Sequence, residues 1–227
     1  MYDLGIHGHL TVDHIFTTNG EKTTLGAIAN FWQVIARLEP NLNIKVNPFC
    51  FGEALILINE LKSQRVGRGD LNITIKHPVI PECKWHHIMY LNQLPMLHKI
   101  EWKSLGGEGR TPSKISADVT AGNIDCIIPY LKYIDYLFIS DEELFMDVDE
   151  LAKLTKGWVI LHKPTGSYSS DGETHYNNFC ERKSGLNVLG AGDIFAACFV
   201  SSMLFKDDVN AACKYAHQNT TEILKNG

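Results

Sequence analysis

No apolar run in this 227-residue chain approaches the ~20 residues needed to cross a bilayer, so no membrane-spanning helix is expected. The start of the chain, Met1-Tyr2-Asp3-Leu4-Gly5, lacks a basic segment followed by an apolar core, and no secretory leader is expected from it. Basic charge is in deficit: 21 Lys and Arg against 26 Asp and Glu give a net charge of −5, which argues against a nucleic-acid-binding face. The cysteines at 50, 83, 126, 180, 198 and 213 contain no Cys-x-x-Cys pair. They read as reduced thiols of a cytoplasmic protein. Repeats and low-complexity tracts are missing as well. The glycine-rich stretch 105–112 is followed by Ser113-Lys114 rather than by a lysine-serine pair or a helix, so it reads as a surface loop and not as a phosphate-cradling loop. What remains is ordinary for a globular protein, at 44% hydrophobic and 21% charged residues, and 1–227 is expected to form a single domain.

Strand-like and helix-like stretches alternate along the chain. Strands are expected at 4–10, 44–51, 71–76, 85–90, 115–118, 136–139 and 158–161, with helices at 24–38, 52–62, 124–133, from 140, 194–204 and 209–224. Asn19-Gly20 and Asp171-Gly172 are hairpin signals. Residues 65–70 read as a basic loop. The alternation implies an α/β sheet covered by helices on both faces.

One stretch carries the chemistry: Gly190-Ala191-Gly192-Asp193, followed by an apolar run from Ile194 to Leu204 without proline, glycine or charge. Such a run favours a buried helix. Small residues at its start leave the first-turn N–H groups uncovered, at the positive end of the helix dipole, where an anion binds. A carboxylate there would repel a phosphate, so Asp193 makes better sense as a general base taking a proton from an attacking hydroxyl. The plainer alternative is a tight turn with Asp193 as a helix cap.

The stretch Asn187-Val188-Leu189-Gly190-Ala191-Gly192-Asp193-Ile194-Phe195-Ala196-Ala197-Cys198-Phe199 resembles the C-terminal signature of the ribokinase-like (PfkB) carbohydrate kinases, sharing the Gly-Ala-Gly-Asp-x-Phe core and the second Phe. The resemblance implies a three-layer α/β/α sandwich around a mostly parallel sheet, with a reduced β lid from about 11–25 and 70–80. It implies an enzyme that moves the γ-phosphoryl group of ATP, with Mg²⁺, to a hydroxyl of a sugar or nucleoside. Asp193 would be the base, and the amides at Gly190, Ala191, Gly192 and Asp193 the anion hole. Asp13, Gly26 and Asn30 would hold the acceptor, Gly26 and Asn30 matching a Gly-Gly-x-x-x-Asn segment in which Leu25 replaces the first Gly. Asp118 would stand at a strand end, and Glu143 would organise the metal within an Asn-x-x-Glu motif whose Asn is here Ser140. His162, Gly166 and Asn187 would flank the nucleotide, with His162 and Pro164 departing from the family's Thr and Gly. Asn187 replaces an aspartate near a monovalent-cation site, and its carbonyl is a weaker ligand. Lid sheets often join two copies in that family, which leaves a homodimer open.

Two other readings compete. A sugar- or nucleotide-binding regulator on the same fold would lack the reaction, and the retained Asp193 argues against it. His7 and His9, two apart on a strand, resemble the metal-binding start of amidohydrolases and would make a metal-dependent hydrolase. The chain is short for the ~250-residue barrel such enzymes use.

Overall fold

The computed structural model describes the chain except residues 60–63, 77–78, 106–112, 121, 145, 182–188 and 227, and gives no side-chain description for 59, 64–72 and 104. Ten strands form one sheet: β1 (Tyr2–Thr17), β2 (Gly20–Ala27), β3 (Ile44–Asn59), β4 (Gln64–Ile75), β5 (Cys83–Ile88), β6 (Lys114–Asp118), β7 (Tyr136–Ser140), β8 (Trp158–Lys163), β9 (Gly166–Ser170) and β10 (His175–Phe179). Their order is β10-β9-β8-β7-β6-β5-β1-β3-β4, with β2 on the outer half of β1. The pairs from β3 through β1, β5, β6 and β7 to β8 are parallel, and the pairs at both ends are antiparallel.

Both faces of the parallel part are covered, as strands that are apolar on both sides require. One face packs under α1 (Ile28–Leu38), α4 (Ala191–Phe205) and α5 (Val209–Asn226), through a core that includes Phe31, Phe138 and Phe199. The other lies against α2 (Trp102–Leu105), the 3-10 helix Asp125–Tyr133 and α3 (Val148–Leu154). Every residue of α4 from Asp193 to Ser201 is buried, which explains why its sequence shows no polar face.

Five expectations change. The helix expected from 24 begins at Ile28, and residues 24–27, Gly26 among them, end β2. Residues 52–59 are not a helix: β3 runs on through them, with Ala54 and Ile56 buried and Leu55 and Leu57 exposed. Residues 65–70 lie in β4, paired to β3. The segment 125–133 is a 3-10 helix, and it contains Pro129, which lacks the N–H an α-helix needs there. Ser140 does not open a helix. Its hydroxyl binds Glu143 Oε2 at 2.7 Å within a turn, and α3 starts later behind Asp147, whose side chain accepts from the Asp149 and Glu150 amides.

The outer halves of β1 and β3, with β2 and β4, project as a four-stranded sheet. The expected lid segment 11–25 falls in the β1–β2 hairpin. Residues 70–75 of the second expected segment end β4, and 77–78 lie outside the described residues. The outer half of β3 adds the strand between them. Ile15, Ala54, Ile56 and Ile58 on one face of this sheet meet Leu189, the residue just ahead of the α4 turn.

Candidate active site

Parallel sheets gather ligands at the carboxyl ends of their strands. Here those ends bring together Tyr90 beyond β5, Asp118 at the end of β6, Ser140 at the end of β7 and His162 near the end of β8. The N-terminus of α4 arrives at the same edge. Gly190, its cap, has φ 74°, a left-handed conformation that favours glycine. A Cβ on Gly190 would come within 3.2 Å of Asn30 Nδ2. The first internal bond of α4 runs from the Ile194 N–H to the Gly190 carbonyl at 3.0 Å, so the amides of Ala191 and Gly192 precede the helix's own ladder. Gly190, Ala191 and Gly192 are half-buried, whereas Asp193 is 5% exposed.

Asp193 is held from two elements. Asn30 on α1 donates its amide to Oδ2 at 2.9 Å, and the Tyr90 hydroxyl lies 3.2 Å from Oδ1 and 3.3 Å from Oδ2. The Tyr90 N–H donates to Asp118 Oδ1. Burial pushes the Asp118 carboxyl well above the usual range, and the neighbouring Asp193 and then Glu143 add to the rise.

Of the residues expected at the site, Asp193, Gly190, Ala191, Gly192 and Asn30 converge. Asp13 and Gly26 form a second pair: Asp13 is 6% exposed, accepts the Thr11 hydroxyl at 2.6 Å, and lies against the Gly26 backbone. Glu143 binds Ser140 and stands within electrostatic reach of Asp118. Among the described residues no three His, Cys, Asp or Glu side chains converge for direct metal coordination. His162 rests on Gly192, 3.2 Å from where a Cβ would be, and burial holds its pKa down at about 4. A neutral ring also suits the positive end of a helix. Gly166, at φ 143°, serves the β8–β9 turn, where a side chain would overlap the Asn178 carbonyl. Asn187 lies outside the described residues. Tyr90 was not anticipated; its place just past a strand end was the available signal.

His7 and His9 part company. Gly8 carries a register shift; His7 Nε2 lies 3.1 Å from His86 Nδ1, and His9 Nε2 lies 3.3 Å from the Gln93 carbonyl. Burial lowers the His7 pKa well below its usual value.

On the far side of the first turn of α4, His162 leads to Phe195 (ring centroids 5.2 Å apart) and Phe195 to His217 (4.9 Å). His217 lines a cavity of about 550 Å³ with Asn178, Phe179, Cys180, Lys214 and Thr221. Among the described residues, neither the nitrogen nor the oxygen of the buried Asn178 carboxamide is hydrogen-bonded, and His217 Nε2 also finds no partner.

No family model matches the chain, and no curated protein matches it by sequence. Solved structures do match. A pyrophosphate-dependent kinase in the ribokinase family, as its sulfate complex, superposes with a TM-score of 0.76 at 14% identity, over 98% of this chain and 95% of that one. A nucleoside kinase of Methanocaldococcus jannaschii, an archaeal member of the ribokinase family, gives 0.74 at 15% identity, over 99% and 92%. The fold is ribokinase-like. A fructokinase from Vibrio cholerae O395 gives 0.71 at 13% identity, over 99% and 93%. The β1–β4 projection meets the residue just ahead of the α4 turn through Leu189, at the strand-end edge where the α4 N-terminus lies.

Proposed function

We propose that this protein is a phosphotransferase that moves the γ-phosphoryl group of ATP to a hydroxyl of a sugar or nucleoside. The observation that carries the reading is the buried carboxylate of Asp193 lying against its own helix N-terminus, with Oδ2 3.7 Å from where a Gly190 Cβ would be. Base and anion site are thereby adjacent. Asp193 takes the acceptor's hydroxyl proton as the acceptor oxygen attacks the γ-phosphorus. The bond from that phosphorus to the β-phosphate bridging oxygen breaks, and the nucleoside diphosphate leaves with that electron pair. The amides of Ala191 and Gly192 hold charge on the transferring group. Asp13, fixed by Thr11, accepts hydroxyls of the acceptor, since an ionised carboxylate takes two at once and suits a diol. Asn30 and Tyr90 nearly enclose Asp193, so an acceptor reaches it only as one of them yields.

Two features support a nucleotide donor. Ring contacts from His162 through Phe195 to His217 lead from the first turn of α4 to the 550 Å³ cavity, whose volume suits a nucleoside. The Vibrio fructokinase is described in its fructose, ADP and calcium ion bound form, whereas other neighbours use pyrophosphate. The oxygen-only set Asp118, Glu143 and Asp193 fits a hard divalent cation held largely through water. Glu143 with Asp118 would hold Mg²⁺, which would offset the phosphate charge when bound. The outer lid face, with Val12, Phe16, Leu25, Leu55 and Leu57 each 36–50% exposed, is our choice for contact between two copies.

The test is ATP consumption across a panel of sugars and nucleosides, with pyrophosphate as the rival donor. Transfer should appear with at least one acceptor and fall at least about 10³-fold in Asp193→Asn. Binding of an acceptor and nucleotide without turnover, unchanged by that substitution, would leave a regulator in place of an enzyme.

A further inference from the structure

The projecting sheet carries an acceptor group and a hold on the anion turn within one small patch. On β1, residues 11, 13 and 15 are buried while 12 and 16 are exposed, so Thr11, Asp13 and Ile15 share the inner face. Asp13 lies opposite Ala54 of β3, and Ile15 lies opposite Ile56. These four positions form a block on that face. Three of them, Ile15, Ala54 and Ile56, make an apolar cluster with 7%, 0% and 1% exposure, and Leu189 packs against it. The fourth is Asp13, whose carboxyl is confined by the Thr11 hydroxyl and the Gly26 backbone. Leu189 is one peptide bond from Gly190, the left-handed cap that precedes the Ala191 and Gly192 amides.

We propose that Leu189 is a positioning residue that couples the acceptor site at Asp13 to the anion turn at Gly190–Gly192, so that acceptor and phosphoryl donor strengthen each other's binding. The assignment rests on the phosphoryl-transfer reading. From Asp193 onward α4 is fixed in the core, and Gly190 brings no side chain to hold the turn ahead of it. The Leu189 side chain supplies a hold there, and the surface it meets belongs to the projecting sheet. An acceptor diol on Asp13 fixes that carboxyl, and with it the Ala54 position directly opposite. Ala54 and Ile56 have almost no exposed surface, so a shift of the block passes to Leu189 instead of being absorbed by a void. Bound acceptor thereby keeps the block where Leu189 aims the Ala191 and Gly192 amides at the donor's phosphate. The link from Asp13 to the turn is two packed contacts long, and both ligands bias the same block, which is what coupling requires. It is also reciprocal: the donor tightens the acceptor by the factor with which the acceptor tightens the donor.

Calorimetry reads the coupling, with the imido analogue of ATP as a donor that is not transferred, or imidodiphosphate where pyrophosphate proves the donor. Each is titrated with and without the acceptor that turns over in the sugar and nucleoside panel. The acceptor should lower the donor Kd at least about fivefold in the parent protein and less than about twofold in Leu189→Ala. A uniform loss of affinity would leave that ratio unchanged, so the ratio separates coupling from damage. Leu189→Met, which nearly conserves the packed volume, should keep the parent's ratio. Ile56→Val trims the same contact from the sheet's side and should give an intermediate ratio, and it decides the matter if Leu189→Ala does not fold. In the ligand-free protein, nitrogen-15 order parameters of Ala191 and Gly192 should fall in Leu189→Ala from about 0.85 towards about 0.6. Where transfer is found, the ratio decides: a folded Leu189→Ala protein with the parent's ratio, or a parent ratio below about twofold, overturns the proposal. Absence of phosphoryl transfer with every acceptor overturns the kinase reading instead, and the order parameters then decide whether Leu189 holds the turn.

Discussion

Gly26 leaves no room for a Cβ beside Asp13: one built there would overlap the Asp13 carboxyl. The contact joins the outer half of β1 to the end of β2, from which α1 and Asn30 follow. A methyl at 26 must push the carboxyl away or part the two strands, and Asp13 has little freedom because Thr11 holds Oδ1. Gly26→Ala should therefore cost about 1–3 kcal/mol of stability, the range for overpacking a filled site. It should raise the acceptor KM at least about tenfold while leaving the ATP KM near its parent value, which steady-state kinetics would read. A variant that loses stability with unchanged acceptor KM would remove Asp13 from the acceptor site.

Acid should unfold this protein earlier than its composition suggests. Burial holds His86, His162 and His217 down at about 4 and His87 at about 3, against 6.5 in an unfolded chain. His7 is lowered as well. Below pH 6.5 the unfolded chain binds protons that the fold refuses, so stability is whole above 6.5 and drains away as pH falls towards 4. Each such histidine contributes a slope of up to about 1.4 kcal/mol per pH unit. Thermal melts from pH 7.5 to 4.5 should show Tm falling steeply below 6.5. His87→Phe, placed between the Phe31 and Phe138 rings, should flatten that fall.

The fold class and the place of Asp193 in the first turn of a buried helix were legible because they rest on local signals. An unbroken apolar run after Gly190-Ala191-Gly192-Asp193 has few structural solutions, and the strand–helix alternation has one common architecture. The outer half of β3 was not legible. Ala54-Leu55-Ile56-Leu57-Ile58 is apolar at every position, and only tertiary packing decides that Ala54 and Ile56 face Leu189 while Leu55 and Leu57 face outward. Tyr90 was hidden for a related reason. A tyrosine after an apolar strand reads as core until the sheet places Asp118 and Asp193 around it, contacts that span 28 and 103 residues of sequence.

Ala27 sits at φ 52° and ψ −119°, where an L side chain is strained. It links Gly26 to the first turn of α1, so the strain lies between the Asp13 contact and the Asn30 amide that holds Asp193. Ala27→Gly would relieve about 1–3 kcal/mol of strain and give back about 0.4–1 kcal/mol to the unfolded chain's freedom. The expected result is a net gain of about 1 kcal/mol, read as a higher urea midpoint with an unchanged slope. Looser placement of Asn30 should lower kcat at the same time. A variant that is more stable and equally active would mean that the strain has no part in the site.

Asp118 offers a test with the opposite sign of pH dependence from the histidines. Its carboxyl is raised above the ordinary value near 3.8, so the fold holds a proton that the unfolded chain gives up. Stability from this group is complete below about pH 4 and is lost as pH rises through the raised value. Asp118→Asn keeps an oxygen for the Tyr90 N–H and removes the ionisation. The variant should match the parent near pH 4 and exceed it at pH 7 by more than about 0.5 kcal/mol, the scatter of ordinary surface changes. Because the rise in Asp118 comes from burial first and from Asp193 second, Asp193→Asn should shrink that advantage without erasing it. Equal stability of parent and Asp118→Asn across the whole range would mean that burial and the neighbouring Asp193 do not raise the Asp118 carboxyl in the fold.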